Sequence, residues 1–189
     1  MKLEKIVVAS GNRGKIAEIK AIFTGVEIVS MQELGFDGEI EETGSTFKEN
    51  AKIKAKFIAE KFGLPSLSDD SGLCVECLHG APGIYSARFS GEGDAGNRKL
   101  LLKRMEHTSH RRAYFESAVC LYMPNGKTYF GTGRTFGKIL TEEIGTNGFG
   151  YDSLFYSNDL KKSFGLATEE EKNSVSHRYR ALCDLREKL

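Results

Sequence analysis

The chain has 189 residues, of which 40% are hydrophobic, so it is long enough to bury a core but short for two independently folding domains. Lys and Arg number 27 against 26 Asp and Glu, and no basic tail or block of like charge is present to bind a nucleic-acid backbone. No apolar stretch approaches the length of a membrane span. We therefore expect one domain over residues 1–189 that is cytoplasmic and has neither nucleic acid nor membrane as a partner.

The four cysteines, in a chain without a signal segment, favour a reducing compartment over a disulfide framework. Cys74 and Cys77 form a C-x-x-C, but a zinc site needs a second pair of ligands, and Cys120 and Cys183 stand alone in the sequence. Thiols that pack in the core are the better interpretation.

The chain opens with a strand, a glycine-rich turn and a helix, because Ile6 to Ala9 is a buried apolar run and Lys15 to Phe23 is amphipathic. A helix N-terminus offers unpaired N–H groups and a positive dipole to an anion, and glycines let a ligand approach the backbone. The spacing of a P-loop is absent, so an ordinary tight turn with a solvated lysine is the alternative to phosphate binding. The candidate phosphate-binding residues are Ser10, Gly11, Asn12, Arg13, Gly14 and Lys15.

A second helix is predicted to begin after Thr46, because apolar residues then recur at helical spacing until Gly63 supplies a stop. Thr46 is the expected N-cap, and Glu49 is its capping-box partner. Among the acidic residues before this helix Glu42 is the candidate metal ligand, although most such loops are simply solvated. Lys54 flanks the apolar stripe, where a snorkelling lysine is the common case and a phosphate contact is the functional alternative.

Asp69 and Asp70 lie inside a run of residues that otherwise reads as a strand. Strands avoid Asp, and alternation sends two successive side chains to opposite faces, so at least one carboxylate needs a partner or a function. Magnesium takes oxygen ligands from one or two carboxylates plus substrate phosphates, which would explain an Asp here. A turn with capping carboxylates is an equally weighted alternative.

The middle of the chain is rich in β-forming residues. Ala113 to Met123 and Lys127 to Lys138 are separated by Pro124-Asn125-Gly126, which predicts a hairpin of antiparallel strands. Another helical stretch runs from about His177 to Leu189. Helices and strands mix without strict βαβ alternation, so we expect an α/β fold around a mixed sheet.

Two further groups of residues are suited to recognising a nucleotide base. Phe149, Gly150, Tyr151 and Asp152 place two aromatic rings and a carboxylate in a glycine-rich loop, where a ring can stack on a base and the carboxylate can bond its edge. Aromatic rings that simply fill the core are the commoner case. Further on, Ser176 is a plausible N-cap that puts two cations in a first helical turn, where the dipole disfavours them. A phosphate oxygen or a purine carbonyl would compensate this second group, which comprises Lys172, His177 and Arg178.

Six motifs in chain order resemble those of the inosine/xanthosine triphosphate pyrophosphatase family. They are S-G-N-x-x-K from residue 10, E-E-T-G-x-T-F-x-E-N-A-x-x-K-A at 41–55, D-D-S-G-L at 69–73, A-P-G-I-Y-S-A-R at 81–88, G-F-G-Y-D at 148–152 and K-N-x-x-S-H-R at 172–178. Each motif alone is weak, but six in order from residue 10 to residue 178 are a strong signal. Ser153 and His79 depart from residues common in the family, beside the motifs rather than inside them.

The resemblance implies a bilobed single-domain α/β fold, with a long central mixed sheet flanked by helices and a substrate cleft between the lobes. It implies a homodimer that uses Mg²⁺ to remove ITP, dITP and XTP from nucleotide pools. By motif, residues 10–15 and Lys54 would hold the triphosphate, Glu42 and Asp70 the metal, and Ser71 the substrate. Asp70 would accept a proton from the attacking water. The base would be read by Phe149 to Asp152 with Lys172, His177 and Arg178.

Two other functions remain open from the residues. The same fold class permits a pyrophosphatase for pyrimidine or other modified nucleotides. A non-catalytic nucleotide-binding or RNA-binding module is the alternative from a different class. The near-neutral charge argues against RNA, and Asp69-Asp70 would repel phosphate in a protein that uses no metal.

Overall fold

The computed structural model describes residues 3–189, which form five α-helices and six strands. The strands are β1 (Lys5–Val8), β2 (Glu27–Ser30), β3 (Ser66–Val75), β4 (Arg112–Tyr122), β5 (Thr128–Ile139) and β6 (Phe155–Ser157). The helices are α1 (Arg13–Ile22), α2 (Phe47–Phe62), α3 (Gly93–Arg104), α4 (Glu169–Val175) and α5 (His177–Arg186). Short 3-10 turns occupy Glu76–Leu78, Gly83–Arg88, Asp152–Leu154 and Phe164–Leu166.

The strands described over residues 3–189 form one sheet in the order β2-β1-β3-β4-β5-β6. β1 pairs in parallel with β2 and β3, whereas β6 pairs with β5 in the antiparallel sense. The sheet is therefore mixed, and the predicted α/β fold with helices flanking a mixed sheet is confirmed. The predicted hairpin is present too, since the Met123 N–H donates to the Lys127 carbonyl at 2.8 Å across the turn that joins β4 to β5.

The ends of α2 lie where the sequence predicts them. The Thr46 hydroxyl accepts from the Glu49 N–H at 3.1 Å, and Gly63 adopts the left-handed conformation that ends the helix, with φ of 64°. The predicted capping box is wrong in its second half. The Glu49 carboxylate accepts from the backbone N–H and the hydroxyl of Ser45, at 2.7 and 2.8 Å, and not from the N-cap.

The last helical stretch is shorter than predicted and follows a separate helix. α5 ends at Arg186 rather than at Leu189. α4 precedes it and begins with a complete capping box between Thr168 and Glu171, and neither feature was predicted from the sequence.

Two compact units divide the residues. Unit 1 comprises residues 1–70, 117–133 and 178–189, and unit 2 comprises 71–116 and 134–177. Apolar side chains of β1, β3, β4 and α5 form the core of unit 1, including Ile6, Leu67, Val119, Leu121 and Leu185. In unit 2 a group of phenylalanine rings packs at centroid distances of 4.7 to 6.2 Å, formed by Phe115, Phe155 and Phe164. Each unit thus buries a core of its own.

No helix over residues 3–189 is both long enough and apolar enough to span a membrane. That one domain spans residues 1–189 stays a prediction. The substrate cleft that the resemblance implies stays a prediction too.

Candidate active site

The predicted phosphate-binding turn lies between β1 and α1, as the sequence indicates. α1 begins at Arg13, and the Asn12 side chain caps it by accepting from the Lys15 N–H at 3.1 Å. The Ser10 hydroxyl accepts from the Asn12 N–H at 3.2 Å and fixes the preceding turn. Residues 10–15, which include Gly11 and Gly14, therefore bring the N-terminus of a ten-residue helix to the end of a buried strand.

Asp69 is buried in unit 1 between two cations. The Lys15 ammonium lies 2.7 Å from Asp69 Oδ2, and Arg178 Nε lies 3.1 Å from the same oxygen. The Ser117 hydroxyl donates to the other carboxylate oxygen. Burial alone would raise the pKa of Asp69, but Lys15 and Arg178 outweigh it and hold the pKa well below the ordinary 3.8. Asp69 is thus a fixed negative charge that orients two candidate substrate-binding cations.

Arg178 is itself buried, with 3% of its surface exposed, and its second partner is Glu18 of α1. The Arg178 Nη1 lies 2.9 Å from the Glu18 carboxylate. The sequence led us to expect a ligand oxygen as the group that compensates this first-turn cation, and the structure supplies two carboxylates, Asp69 and Glu18. This arrangement holds the guanidinium in one orientation through two of its nitrogens.

Asp70 has a different set of partners. Its Oδ1 lies 3.1 Å from the Lys54 ammonium, and its Oδ2 accepts from the Asn50 amide at 3.2 Å. Lys54 also lies 2.6 Å from the Glu42 carboxylate and 3.0 Å from the Asp69 carbonyl. Burial raises the pKa of Asp70, and the nearby Glu42 carboxylate adds to this against the opposing effect of Lys54. The predicted separation of the two adjacent carboxylates by strand alternation is confirmed by these distinct partners.

The oxygens around Lys54 fit the preferences of a hard cation. Two carboxylates and one backbone carbonyl converge on a single ammonium, so this position already stabilises positive charge. Over residues 3–189 no group of three or more His, Cys, Asp or Glu side chains is placed to hold a metal ion. Magnesium is commonly held by one or two carboxylates together with substrate phosphates, and Glu42 with Asp70 matches that donor set.

The glycine-rich loop of unit 2 gathers a second set of predicted residues. Phe149 has 52% of its surface exposed, whereas Tyr151 is buried and its hydroxyl donates to the Ser86 carbonyl at 2.8 Å. Asp152 is buried and lies 2.5 Å from the Lys172 ammonium, which also sits 4.5 Å from the centre of the Phe149 ring. Of the two aromatic rings, Tyr151 packs in the core, whereas Phe149 is exposed on the side that Lys172 does not cover.

A cavity of about 340 Å³ lies against this loop within unit 2. Its volume falls in the range of about 300–1,000 Å³ that is common for small-molecule sites. The loop residues Thr146 to Gly150 line this cavity together with acidic, basic and small residues. The non-loop lining residues include Asp94, Arg98 and Glu143.

The remaining candidates are placed as follows. Ser71 follows Asp70 directly in β3. His177 is buried in unit 2 and stacks on the Phe115 ring, with centroids 5.0 Å apart. Adjacent in sequence, His177 and Arg178 thus belong to different clusters, since Arg178 pairs with residues of unit 1.

Sequence reasoning missed several partners of these residues. Glu18, Asn50 and Ser117 contact Arg178, Asp70 and Asp69 respectively. Polar residues at positions that fit a buried pattern were the available signal, because Asn50 lies one turn before Lys54 on α2 and Ser117 lies two residues after Phe115 in β4. Glu18 gave no such signal.

The four thiols are free, and two of them are buried as expected, whereas Cys77 and Cys183 are partly exposed. Cys74 and Cys120 are buried, and burial raises their pKa values to about 11 and about 12. Both are therefore protonated at neutral pH and lack the thiolate character of a reactive cysteine.

The arrangement of carboxylates, lysines and an aromatic loop agrees with similarity to known proteins. The chain is 43% identical over 189 residues to a dITP/XTP pyrophosphatase of Staphylococcus epidermidis, covering 99% of this chain and 97% of that protein. It is 46% identical over 188 residues to a dITP/XTP pyrophosphatase of Thermoanaerobacter pseudethanolicus, covering 96% and 94%. A solved structure of a HAM1 protein from Coxiella burnetii superposes with a TM-score of 0.91 at 37% identity, covering 98% of each chain. Since the family model also matches residues 6–188, this chain belongs to the Ham1 family.

Proposed function

We propose that this protein hydrolyses non-standard purine nucleoside triphosphates, namely ITP, dITP and XTP, to the nucleoside monophosphate and pyrophosphate. The observation that carries the proposal is the pair Asp69-Asp70 in β3, where one carboxylate is a fixed anion beside Lys15 and the other shares Lys54 with Glu42. Relatives named dITP/XTP pyrophosphatases give the substrate class. Such an enzyme would remove these nucleotides from the cellular pool.

The phosphate chain is assigned to unit 1. Residues 10–15 offer the N-terminus of α1, and Lys15 and Lys54 offer ammonium groups. Ser71, which follows Asp70 in β3 and is the first residue of unit 2, is also assigned to the substrate. Asp70 orients the attacking water and accepts its proton. The Asp70 carboxylate is fixed for that role by the Lys54 ammonium at 3.1 Å and the Asn50 amide at 3.2 Å.

Magnesium is the proposed cofactor, held by Glu42 and Asp70. When bound, it supplies neutralisation of the charge on the phosphate oxygens. Glu42 and Asp70 would hold the ion, and Lys54, whose ammonium lies 2.6 Å from Glu42 and 3.1 Å from Asp70, would then serve the phosphate chain.

Base selection is assigned to Phe149 to Asp152 with Lys172, His177 and Arg178. The exposed Phe149 ring stacks on the purine, and Arg178 donates to the six-oxo group that inosine and xanthosine share. A site that donates to a carbonyl rejects the six-amino group of adenine, because buried donors are then left unpaired. Arg178 is held for that role by Asp69 and Glu18.

Pyrophosphate release is the test of the proposed function. The rate is measured with ITP, dITP, XTP, ATP and UTP, each with Mg²⁺ and with a chelator in its place. We expect turnover of the first three in the presence of Mg²⁺ only. Preference for UTP would favour a pyrimidine or modified-nucleotide pyrophosphatase, and binding of ITP without any turnover would favour a non-catalytic nucleotide-binding module.

A homodimer in the cytoplasm is proposed as the working form. Exposed aromatic surface supports self-association, since Phe136 on β5 has 50% of its surface exposed and its ring centre lies 5.7 Å from that of Tyr114 in a tilted arrangement. The four free thiols suit a reducing compartment. Light scattering coupled to size exclusion gives the mass, and a monomer at micromolar concentration would contradict the dimer.

A further inference from the structure

The helix α3 binds the aromatic loop of unit 2 through both backbone polar groups of one loop residue, Gly150. The Gly150 N–H donates to the Asp94 carboxylate at 3.0 Å, and the Gly150 carbonyl accepts from Arg98 Nη1 at 3.0 Å. Asp94 and Arg98 lie four residues apart on α3, so they share one helix face. The residue after Phe149 is therefore clamped through both of its backbone polar groups.

The clamp extends to the segments on either side of the loop. Arg98 Nε donates to the Glu143 carboxylate at 2.9 Å, and the Ser153 hydroxyl donates to the same carboxylate oxygen at 2.9 Å. The planar guanidinium thus bonds Gly150 and Glu143 at once through two different nitrogens. Arg98 therefore ties a residue before the loop and one within it to α3, and Ser153 after the loop is connected to it through Glu143.

The loop needs such external bonds because its own backbone is permissive. Gly148 and Gly150 flank Phe149, and both have positive φ values, 77° and 60°, in the region that favours glycine. The Phe149 ring is more than half exposed, so packing does little to fix it. The bonds from α3 to Gly150 therefore add to the contacts of Phe149 itself, whose N–H donates to Asp152 at 2.9 Å and whose ring lies under Lys172, in holding the ring beside the adjacent cavity.

We propose that Asp94 and Arg98 are positioning residues for base recognition, which act by holding Phe149 where it stacks on the purine. The inference rests on the proposed function and adds two residues outside the six sequence motifs. It requires an acceptor at position 94 and a forked donor at position 98. A neutral acceptor suffices at the first position, whereas a single ammonium cannot replace the fork at the second.

The variants Asp94→Ala, Asp94→Asn, Arg98→Ala and Arg98→Lys test this requirement. We expect Asp94→Ala and both Arg98 variants to raise KM for ITP about three- to tenfold, as for the loss of one or two hydrogen bonds, with kcat within about twofold. Asp94→Asn should stay near wild type, because its amide oxygen still accepts from the Gly150 N–H. Calorimetry should show weaker binding of IMP and unchanged binding of pyrophosphate, since only IMP carries a base.

A double-mutant cycle with Phe149→Ala separates this role from a general structural one. If Asp94 acts through the ring, Asp94→Ala adds nothing further in the Phe149→Ala background. Lys99→Ala, on the exposed part of the same helix, is the matched control and should leave both constants unchanged. Asp94 is exposed, so its variants are expected to fold, and thermal unfolding confirms this.

The inference would be overturned if the effects of Asp94→Ala and Phe149→Ala were additive. Equal weakening of IMP binding and pyrophosphate binding would also overturn it. So would an Asp94→Asn variant as impaired as Asp94→Ala. Failure of the proposed function looks different, because the wild-type protein would then release no pyrophosphate from ITP at all. Wild-type turnover of ITP combined with an additive cycle rejects the positioning role alone.

Discussion

Asp69 and Asp70 are neighbours in one strand with opposite electrostatic situations. Asp69 lies between Lys15 and Arg178, which lower its pKa, whereas burial and Glu42 raise the pKa of Asp70. A lowered carboxyl pKa stabilises the folded state above the ordinary pKa, and this contribution is lost as the pH falls through the folded-state value. A raised carboxyl pKa has the reverse sign, so ionised Asp70 destabilises the fold at neutral pH.

Asp69→Asn is accordingly expected to lower the free energy of unfolding at pH 7 by about 3–5 kcal/mol, because the buried Arg178 and the partly buried Lys15 lose a shared partner. Urea unfolding measures the change. The wild-type protein should also lose stability below about the ordinary pKa of 3.8, and the variant should lack that acid-dependent step. Equal stability of the two proteins at pH 7 would show that the Asp69 ion pairs contribute nothing.

Asp70→Asn is expected to act on activity and not on folding. An amide accepts no proton and is a poor ligand for magnesium, so turnover of ITP should fall by at least about two orders of magnitude. The melting temperature, measured by calorimetry with a chelator present, should stay the same or rise, because the variant removes a charge that the fold disfavours. Near-wild-type turnover in the folded variant would remove Asp70 from the mechanism.

At the scale of elements, features that depend on residues close together in the sequence could be predicted. Contacts between residues far apart in the sequence could not. The ends of α2 follow from Thr46 and Gly63, which act on their own helix. α4 was missed because its seven residues bury no side chain and so show no apolar period. Likewise Glu18 and Arg178 are 160 residues apart in sequence, and no spacing rule connects them. The sequence therefore located the candidate residues but not the carboxylates that orient them.

The contact between β5 and α5 in unit 1 depends on one glycine. A Cβ added at Gly131 would lie 2.0 Å from the Ala181 carbonyl oxygen and 2.6 Å from the Leu185 nitrogen, which are backbone atoms. Gly131→Ala should therefore push α5 away and destabilise the protein by about 1–3 kcal/mol or more.

Denaturant unfolding of Gly131→Ala is compared with Thr132→Ala. The exposed Thr132 side chain lies next in the strand, and its backbone N–H keeps its bond to Asp184 in the variant. Equal midpoints for the two variants would contradict the close packing of α5 on β5.

At the scale of the whole molecule, the candidate chemistry is divided between the two units. Unit 1 contains the carboxylates and cations assigned to the metal and the phosphate chain, and unit 2 contains the aromatic loop assigned to the base. Arg178 is the exception, because it is assigned to the base but pairs with Asp69, the same carboxylate that holds Lys15. In this assignment, the residue proposed to select the base and a residue proposed to bind the phosphate share one buried anion, Asp69.

The assignment of Arg178 is tested by comparing two substrates. If Arg178 donates to the six-oxo group, Arg178→Ala should lower kcat/KM for ITP by about 1.5–3 kcal/mol, roughly ten- to 150-fold, while ATP loses little. The preference for ITP over ATP then collapses. Loss of the buried ion pairs also lowers the stability of this variant, but the ratio of the two substrates in one preparation cancels any loss of folded enzyme.

Phe149→Ala and Glu18→Gln are the matched variants for that experiment. Phe149→Ala should lower kcat/KM for ITP and for ATP by similar factors, because stacking uses a ring face that every purine has. Glu18→Gln keeps Arg178 bound to Asp69 and should retain the preference for ITP, since the donor itself is still present. If Arg178→Ala instead lowers kcat/KM equally for ITP and ATP, Arg178 serves the phosphate chain or the fold. Selection of the base would then belong to the residues of unit 2 alone, Asp152, Lys172 and His177.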